Sequence, residues 1–150
     1  MGMATPPHIV GTHHVALTVS DLDRSVHFYT TVLGFKARRG RQRPIVGLSN
    51  GVYILSLHPL RRTLSAEEST FDESRVGLDH LAFALGSAEE VRQAVDHLNS
   101  HGVPNSGFKE GRHPGAVLVT FRDPDNIQLE YYYWPPETER EFHKLVSSQD

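Results

Sequence analysis

The 150-residue chain is expected to be an α+β protein made of two tandem β-α-β-β-β modules. Three observations predict this. "GTHHVALTV", Gly11 to Val19, and "GLDHLAFAL", Gly77 to Leu85, share one shape, with His14 and His80 standing 66 residues apart. Both stretches alternate apolar residues with small or polar ones in the same phase, the pattern of a half-buried strand. Each is followed by an amphipathic helical pattern and then by further strand-like runs, so the plan is written twice.

The first strand is expected over His14–Val19. In "DLDRSVHFYTTVLGF", Leu22, Val26, Tyr29 and Leu33 fall on one helical face, and Gly34 ends the helix. "PIVGL" and "VYILSLH" read as strands. The second half repeats the order, with a strand over His80–Leu85. Its helix, "SAEEVRQAVDHLNSHGV", opens on Ser87 with Glu90 three residues on, a capping box, and Gly102 stops it. Its apolar stripe is Val91, Ala94, Val95 and Leu98. "GAVLVTF" and "IQLEYYY" read as the strands that follow, and "RDPDN" between them is a tight turn with Asn126 suited to positive φ.

A single domain is expected, with module one over residues 9–58, a linker over 59–76, module two over 77–134 and a tail over 135–150. The linker "PLRRTLSAEESTFDESRV" is polar and long for a connection inside a compact domain, as functional lids and linkers are. "SAEES" within it suits a short helix. The tail starts with two prolines and is expected to form a short helix, with Phe142 and Leu145 docking on the body or on a neighbouring chain.

Composition removes several classes of function. A net charge of −3 gives no electrostatic case for nucleic acid. No segment approaches the ~18 consecutive apolar residues of a membrane span. The opening "MGMATPPH" lacks the apolar run of a signal peptide, so none is expected. Cysteine is absent, which excludes disulfides, thiolate metal sites and Cys nucleophiles, and points weakly to a cytoplasmic location.

The histidines are sorted by strand phase. Side chains alternate across a strand. Val15, Leu17 and Val19 should pack on the helix, which places His14, Ala16 and Thr18 on the other face. His80, Ala82 and Ala84 share that phase in the second half. Small residues beside a histidine leave room for something to bind, where a packed core would carry branched or aromatic side chains. In "IQLEYYYW", Gln128, Glu130 and Tyr132 take the open face. A buried carboxylate must be paired or ligate a metal. Two imidazoles and one carboxylate without a thiol form a set used by non-haem iron and related divalent metals, and three protein ligands leave positions open for catalysis. His13 falls on the helix side or at the strand entrance. His27, His97 and His101 belong to helix surfaces, and His8 and His143 to the termini.

"HHVALTVSDLDRSVHFYTTVLGF" and "FRDPDNIQLEYY" resemble the vicinal oxygen chelate superfamily, which includes glyoxalase I, extradiol dioxygenases, fosfomycin-resistance thiol transferases, methylmalonyl-CoA epimerase and the bleomycin-resistance proteins. The resemblance runs from Val10 to Trp134. It implies paired βαβββ modules curling into a cup around one divalent transition metal, with a small substrate that chelates it through adjacent oxygens. It implies His14, His80 and Glu130 as ligands, Asn126 replacing the glycine usual in the turn. It also implies a homodimer.

The position that closes the first module departs from glyoxalase I and the epimerases, which carry an acid or amide there. Here Leu55 or Ser56 occupies it, Ser56 being better phased for the open face, and His58 lies two residues beyond on that face. Thr120 stands where extradiol dioxygenases carry a tyrosine, and Gly111 where they carry a histidine, with His113 nearby. Thiol transferases place a threonine where this chain has Ala16, and the bleomycin-binding branch lacks metal ligands. The expected function is therefore a metal-dependent enzyme with a dioxygenase-like ligand set. The alternatives are a glyoxalase-type lyase or isomerase, or a protein that sequesters a small aromatic or antibiotic ligand. His113 and His58 are the candidates for proton transfer. Ser56, Thr120, Gln128 and Tyr132 are the candidates for substrate contact. The ligand set does not choose among Fe, Mn, Zn, Ni and Co.

Overall fold

In a computed structural model, residues 6–40, 44–61 and 69–147 of the chain are described. Two compact units emerge, residues 1–61 and 62–150. In the first, strand β1 (Val15–Val19) leads into helix α1 (Leu22–Thr31), then β2 (Lys36–Arg39), β3 (Val46–Ser49) and β4 (Ile54–Pro59). The second repeats this with β5 (Leu81–Ala84), α2 (Ala88–Ser100), β6 (Lys109–Glu110), β7 (Val117–Arg122) and β8 (Gln128–Tyr133), and adds α3 (Pro136–Ser147). Each unit holds a four-stranded sheet, ordered β1-β4-β3-β2 and β5-β8-β7-β6. The first strand of each pairs in parallel with the last, and the other pairings are antiparallel.

Alternation sets the faces. Leu17 and Val19 are buried while Ala16 and Thr18 are exposed, and Leu81 and Phe83 are buried while Ala82 and Ala84 are exposed. α1 packs on β4, and α2 packs on β7 and β8. The buried stripe of α1 differs from expectation. Ser25, Phe28 and Tyr29 are its buried residues, whereas Leu22, Val26 and Leu33 are half-buried. The buried face is thus rotated towards Phe28, whose larger ring removes more apolar area from water than Val26 would. Gly34 ends the helix at φ 73°, and the Phe35 amide donates back to the Tyr29 carbonyl at 3.1 Å. On α2, the Ser87 hydroxyl accepts from the Glu90 amide at 3.1 Å. The Glu90 carboxylate reaches back to the Gly86 amide at 2.6 Å, one residue earlier than in the standard box.

Neither β2 nor β6 had a strand-like run of its own in the sequence. "KARR" and "KE" are charged and exposed on both faces. They are edge strands, held by backbone pairing to β3 and β7, and charge on such an edge discourages further strand addition.

The turn expected at "RDPDN" forms with Asn126 at φ 68°. The Asp123 carboxylate accepts from the Asp125 and Ile127 amides at 2.9 and 2.8 Å. The end of the linker is fastened to this turn. Asn126 Nδ2 donates to the Phe71 carbonyl at 2.8 Å, and Arg122 makes two bonds to Glu73, at 2.9 and 2.5 Å. The short helix expected at 65–69 lies largely outside the described residues. Hydrogen bonds from Arg122 hold the Glu73 carboxyl at about 2, down from 4.5. A depressed carboxylate stabilises the fold above its unfolded value, and that contribution fades as pH falls from 4.5 through 2. Glu73→Gln should therefore unfold at lower temperature than the parent at pH 7 and match it near pH 2. A Tm difference that stays constant over this range would refute the linkage.

In the tail, Phe142 approaches the rings of Trp134 at 5.3 Å and His113 at 5.6 Å. Leu145, expected to dock beside it, is 65% exposed one turn further along α3. Among the described residues no helix is long and apolar enough to cross a membrane.

Candidate metal centre and substrate cleft

β8 is the central strand from which the site of the second unit is built. Its register sets Glu130 between Ala82 of β5 and Thr120 of β7. Leu129, one residue earlier, is fully buried on the helix side, so the pleat turns Glu130 to the opposite face, where it is 9% exposed. The small side chain of Ala82 leaves space beside the carboxylate. His80 sits just before β5, in phase with Ala82, and its Nε2 lies 3.6 Å from Glu130 Oε2.

The other ring nitrogen of His80 is held. Nδ1 lies 2.6 Å from Asp79 Oδ1, and in the neutral tautomer that donates Nδ1–H to Asp79 the Nε2 lone pair faces Glu130. Two acceptors then face one another at a distance longer than a hydrogen bond. A divalent cation between them, or a proton on Nε2, reconciles the two. The separation is close to that of two ligand atoms on one transition metal ion, roughly 3.0–3.5 Å for bonds of ~2.1 Å. A carboxylate behind a ligand histidine is the usual outer partner at such centres. The donor set of this unit therefore fits a divalent metal.

Around the pair lies a cleft of about 490 Å³, lined also by Arg112, His113, Gln128 and Tyr132. The His113 ring stacks on Trp134 with centroids 4.3 Å apart and planes 20° from parallel. Burial raises the Tyr132 hydroxyl above its ordinary value, and the Glu130 charge adds to this, so Tyr132 stays a neutral O–H donor. On the other face, burial pushes Tyr131 up to about 12, and its ring packs with Phe83 and Phe121.

In the first unit, His14 is exposed ahead of β1, its Nδ1 2.9 Å from that of His13. Leu55 is fully buried on the helix side, which leaves Ser56 on the open face. Ser56 pairs with Ala16, just as Glu130 pairs with Ala82, so it holds the place that the carboxylate holds in the second unit. Its hydroxyl is 2.9 Å from His58 Nε2. Ser56 lines a cavity of about 860 Å³, and His58 lines a separate one of about 460 Å³.

The structure thus brings His80, Glu130, His113, Gln128 and Tyr132 to one cleft, and joins Ser56 to His58. Thr120 is beside Glu130 in the sheet but does not line the cleft. Among the described residues no three His, Asp or Glu side chains gather as a metal-holding cluster. Two residues escaped the sequence reading. Asp79 was visible as the acid directly before His80 in "GLDH". Arg112 gave no periodic signal, since it lies in the loop before β7.

The model of the Glyoxalase/Bleomycin resistance protein/Dioxygenase superfamily matches residues 11–131. The chain belongs to this superfamily. A solved glyoxylase/bleomycin resistance protein/dioxygenase domain from Frankia sp. EAN1pec is similar at 29% identity and TM-score 0.74, covering 91% of this chain and all of that one. Catechol-2,3-dioxygenase of Bacillus subtilis is 29% identical over 79% of this chain and 40% of its own length. Lactoylglutathione lyase GLX1 of Arabidopsis thaliana is 30% identical over 84% of this chain and 45% of its own length. The chain thus spans less than half the length of these two enzymes.

Proposed function

We propose that this protein is a metal-dependent enzyme acting on a small substrate that chelates a divalent transition metal through adjacent oxygens, with a dioxygenase-like ligand set. The observation that carries this is His80 Nε2 facing the buried Glu130 carboxylate while Asp79 holds the other ring nitrogen. His80 and Glu130 supply two ligands in this reading, and His14 the third. The similarity to a catechol-2,3-dioxygenase supports the reaction type. Ser56 in place of an acid argues against the lyase, because a neutral hydroxyl is a poor ligand and a poor base beside a carboxylate.

The metal would act as a Lewis acid towards the chelating oxygens. The residues of the chain do the rest. Asp79 fixes the His80 tautomer. His113, in the same cleft and steadied by Trp134, accepts a proton from the incoming substrate hydroxyl. Tyr132 donates a hydrogen bond from its neutral phenol, and Gln128 orients the ring. Ser56 and His58 form a second proton-relay pair on the first unit's sheet, and Thr120 borders Glu130. A homodimer is proposed as the working assembly, on the family resemblance.

Native protein should contain one transition metal per chain and unfold at lower temperature after chelation. The Fe(II)-loaded form should consume dioxygen with catechol, and sedimentation should show a species heavier than the 16.8 kDa chain. Metal-free native protein that chelator does not affect, but that still binds aromatic ligands, would replace this reading with sequestration. A 16.8 kDa species at micromolar concentration would remove the dimer.

A further inference from the structure

The first unit carries a row of residues with no counterpart in the second. On β2, Arg39 pairs with Asp23 of α1, whereas Lys36 and Arg38 share the opposite strand phase. Arg38 is opposite Gly47 of β3, and Gly47 is opposite Ser56 of β4. Lys36 is opposite Ser49, and Ser49 opposite Ile54. Lys36, Arg38, Gly47, Ser49, Ile54 and Ser56, together with Arg39, line the cavity of about 860 Å³, a volume within the ~300–1,000 Å³ range of small-molecule sites. Among the described residues, neither Lys36 nor Arg38 has an ion-pair partner.

Gly47 is not required by the backbone. Its φ lies outside the left-handed region, and a Cβ there would meet nothing closer than the Arg38 carbonyl at 3.8 Å. Glycine weakens a strand interior and commonly marks the close approach of a ligand. Here it leaves the floor of the cavity open between the Arg38 and Ser56 positions. In the equivalent row of the second unit, Thr120 and Glu130 stand where Gly47 and Ser56 stand in the first. One row offers an acid and the other offers cations and space.

We infer that the open face of the first unit's sheet is a binding site for a small organic anion, whose carboxylate or phosphate group is held by Arg38 and Lys36. The planar guanidinium fork matches two oxygens of one oxyanion, and the lysine adds a point charge. Ile54, 44% exposed, and Ile45 give apolar surface for the carbon skeleton.

Titrations followed by amide chemical shifts test this, with benzoate and phenyl phosphate as the two probes. The better binder identifies the anion, with shifts centred on Gly47 and Ser56 that vanish in Arg38→Gln. Gly47→Leu, which fills the floor, should block the same shifts while the rest of the spectrum stays in place. Shifts that survive Arg38→Gln, or no shift with either probe, would overturn the inference.

Discussion

Glu130→Gln is expected to lower affinity for a divalent metal by about 100-fold or more. Losing an outer-shell partner of a ligand already costs roughly 10–100-fold, and this variant removes the anionic ligand itself. The amide has almost the same shape, so β8 keeps its pairing with β5 and β7, and the loss is one of charge and ligand strength. Asp79→Asn should weaken binding by about 10–100-fold, because His80 loses the acceptor that fixes its tautomer. Ser56→Ala should leave metal content unchanged, and Ser56→Glu should raise affinity by adding an acid where lyases of the family carry one. Elemental analysis after desalting, with thermal unfolding run with and without chelator, reads all four variants. Equal metal in the parent and Glu130→Gln, with no chelator effect on either, would end the metalloenzyme reading.

The residue next to Glu130 should behave in the opposite way. Leu129→Ala is expected to destabilise the second unit by about 2–5 kcal/mol, the usual cost of emptying a fully buried leucine site. Leu129 lies on the central strand, opposite Leu81 on one side and Phe121 on the other, both buried, so little can collapse into the space left behind. Tm should fall by about 10 °C. The folded fraction should still take up metal as the parent does, because the pleat puts Leu129 on the face away from Glu130. A Leu129→Ala variant with parental Tm would mean that the core lies elsewhere.

Alternation made most of this legible in the sequence. It separates Leu17 from Ala16, Leu55 from Ser56 and Leu129 from Glu130, because one face of each sheet is packed and a strand shows each face every second residue. It says nothing about β2 and β6, where both faces meet water and the backbone alone decides. The helical stripe of α1 is legible only in part for a related reason: Tyr29 is buried as expected, whereas Leu22, Val26 and Leu33 are half-buried. Spacing identifies an apolar arc, but the sizes of Phe28 and Ser25 decide where along that arc the sheet presses. At the candidate site, the polar phase exposed His80, Glu130, Gln128 and Tyr132. Arg112 and the stacking of His113 on Trp134 depend on loop conformation, which has no period. The cations of β2 were hidden because an edge strand of charged residues looks like any solvated surface.

The matched pairings of Ser56 with Ala16 and of Glu130 with Ala82 have a consequence for how such a chain can be altered. In the first unit a neutral hydroxyl stands where the second unit has its carboxylate. Substitutions at Arg38, Gly47 and Ser56 are therefore expected to alter the proposed anion site and leave the proposed metal pair of His80 and Glu130, with Asp79 behind it, in place. New binding preferences should be sought by randomising these three positions, with His80, Asp79 and Glu130 left untouched.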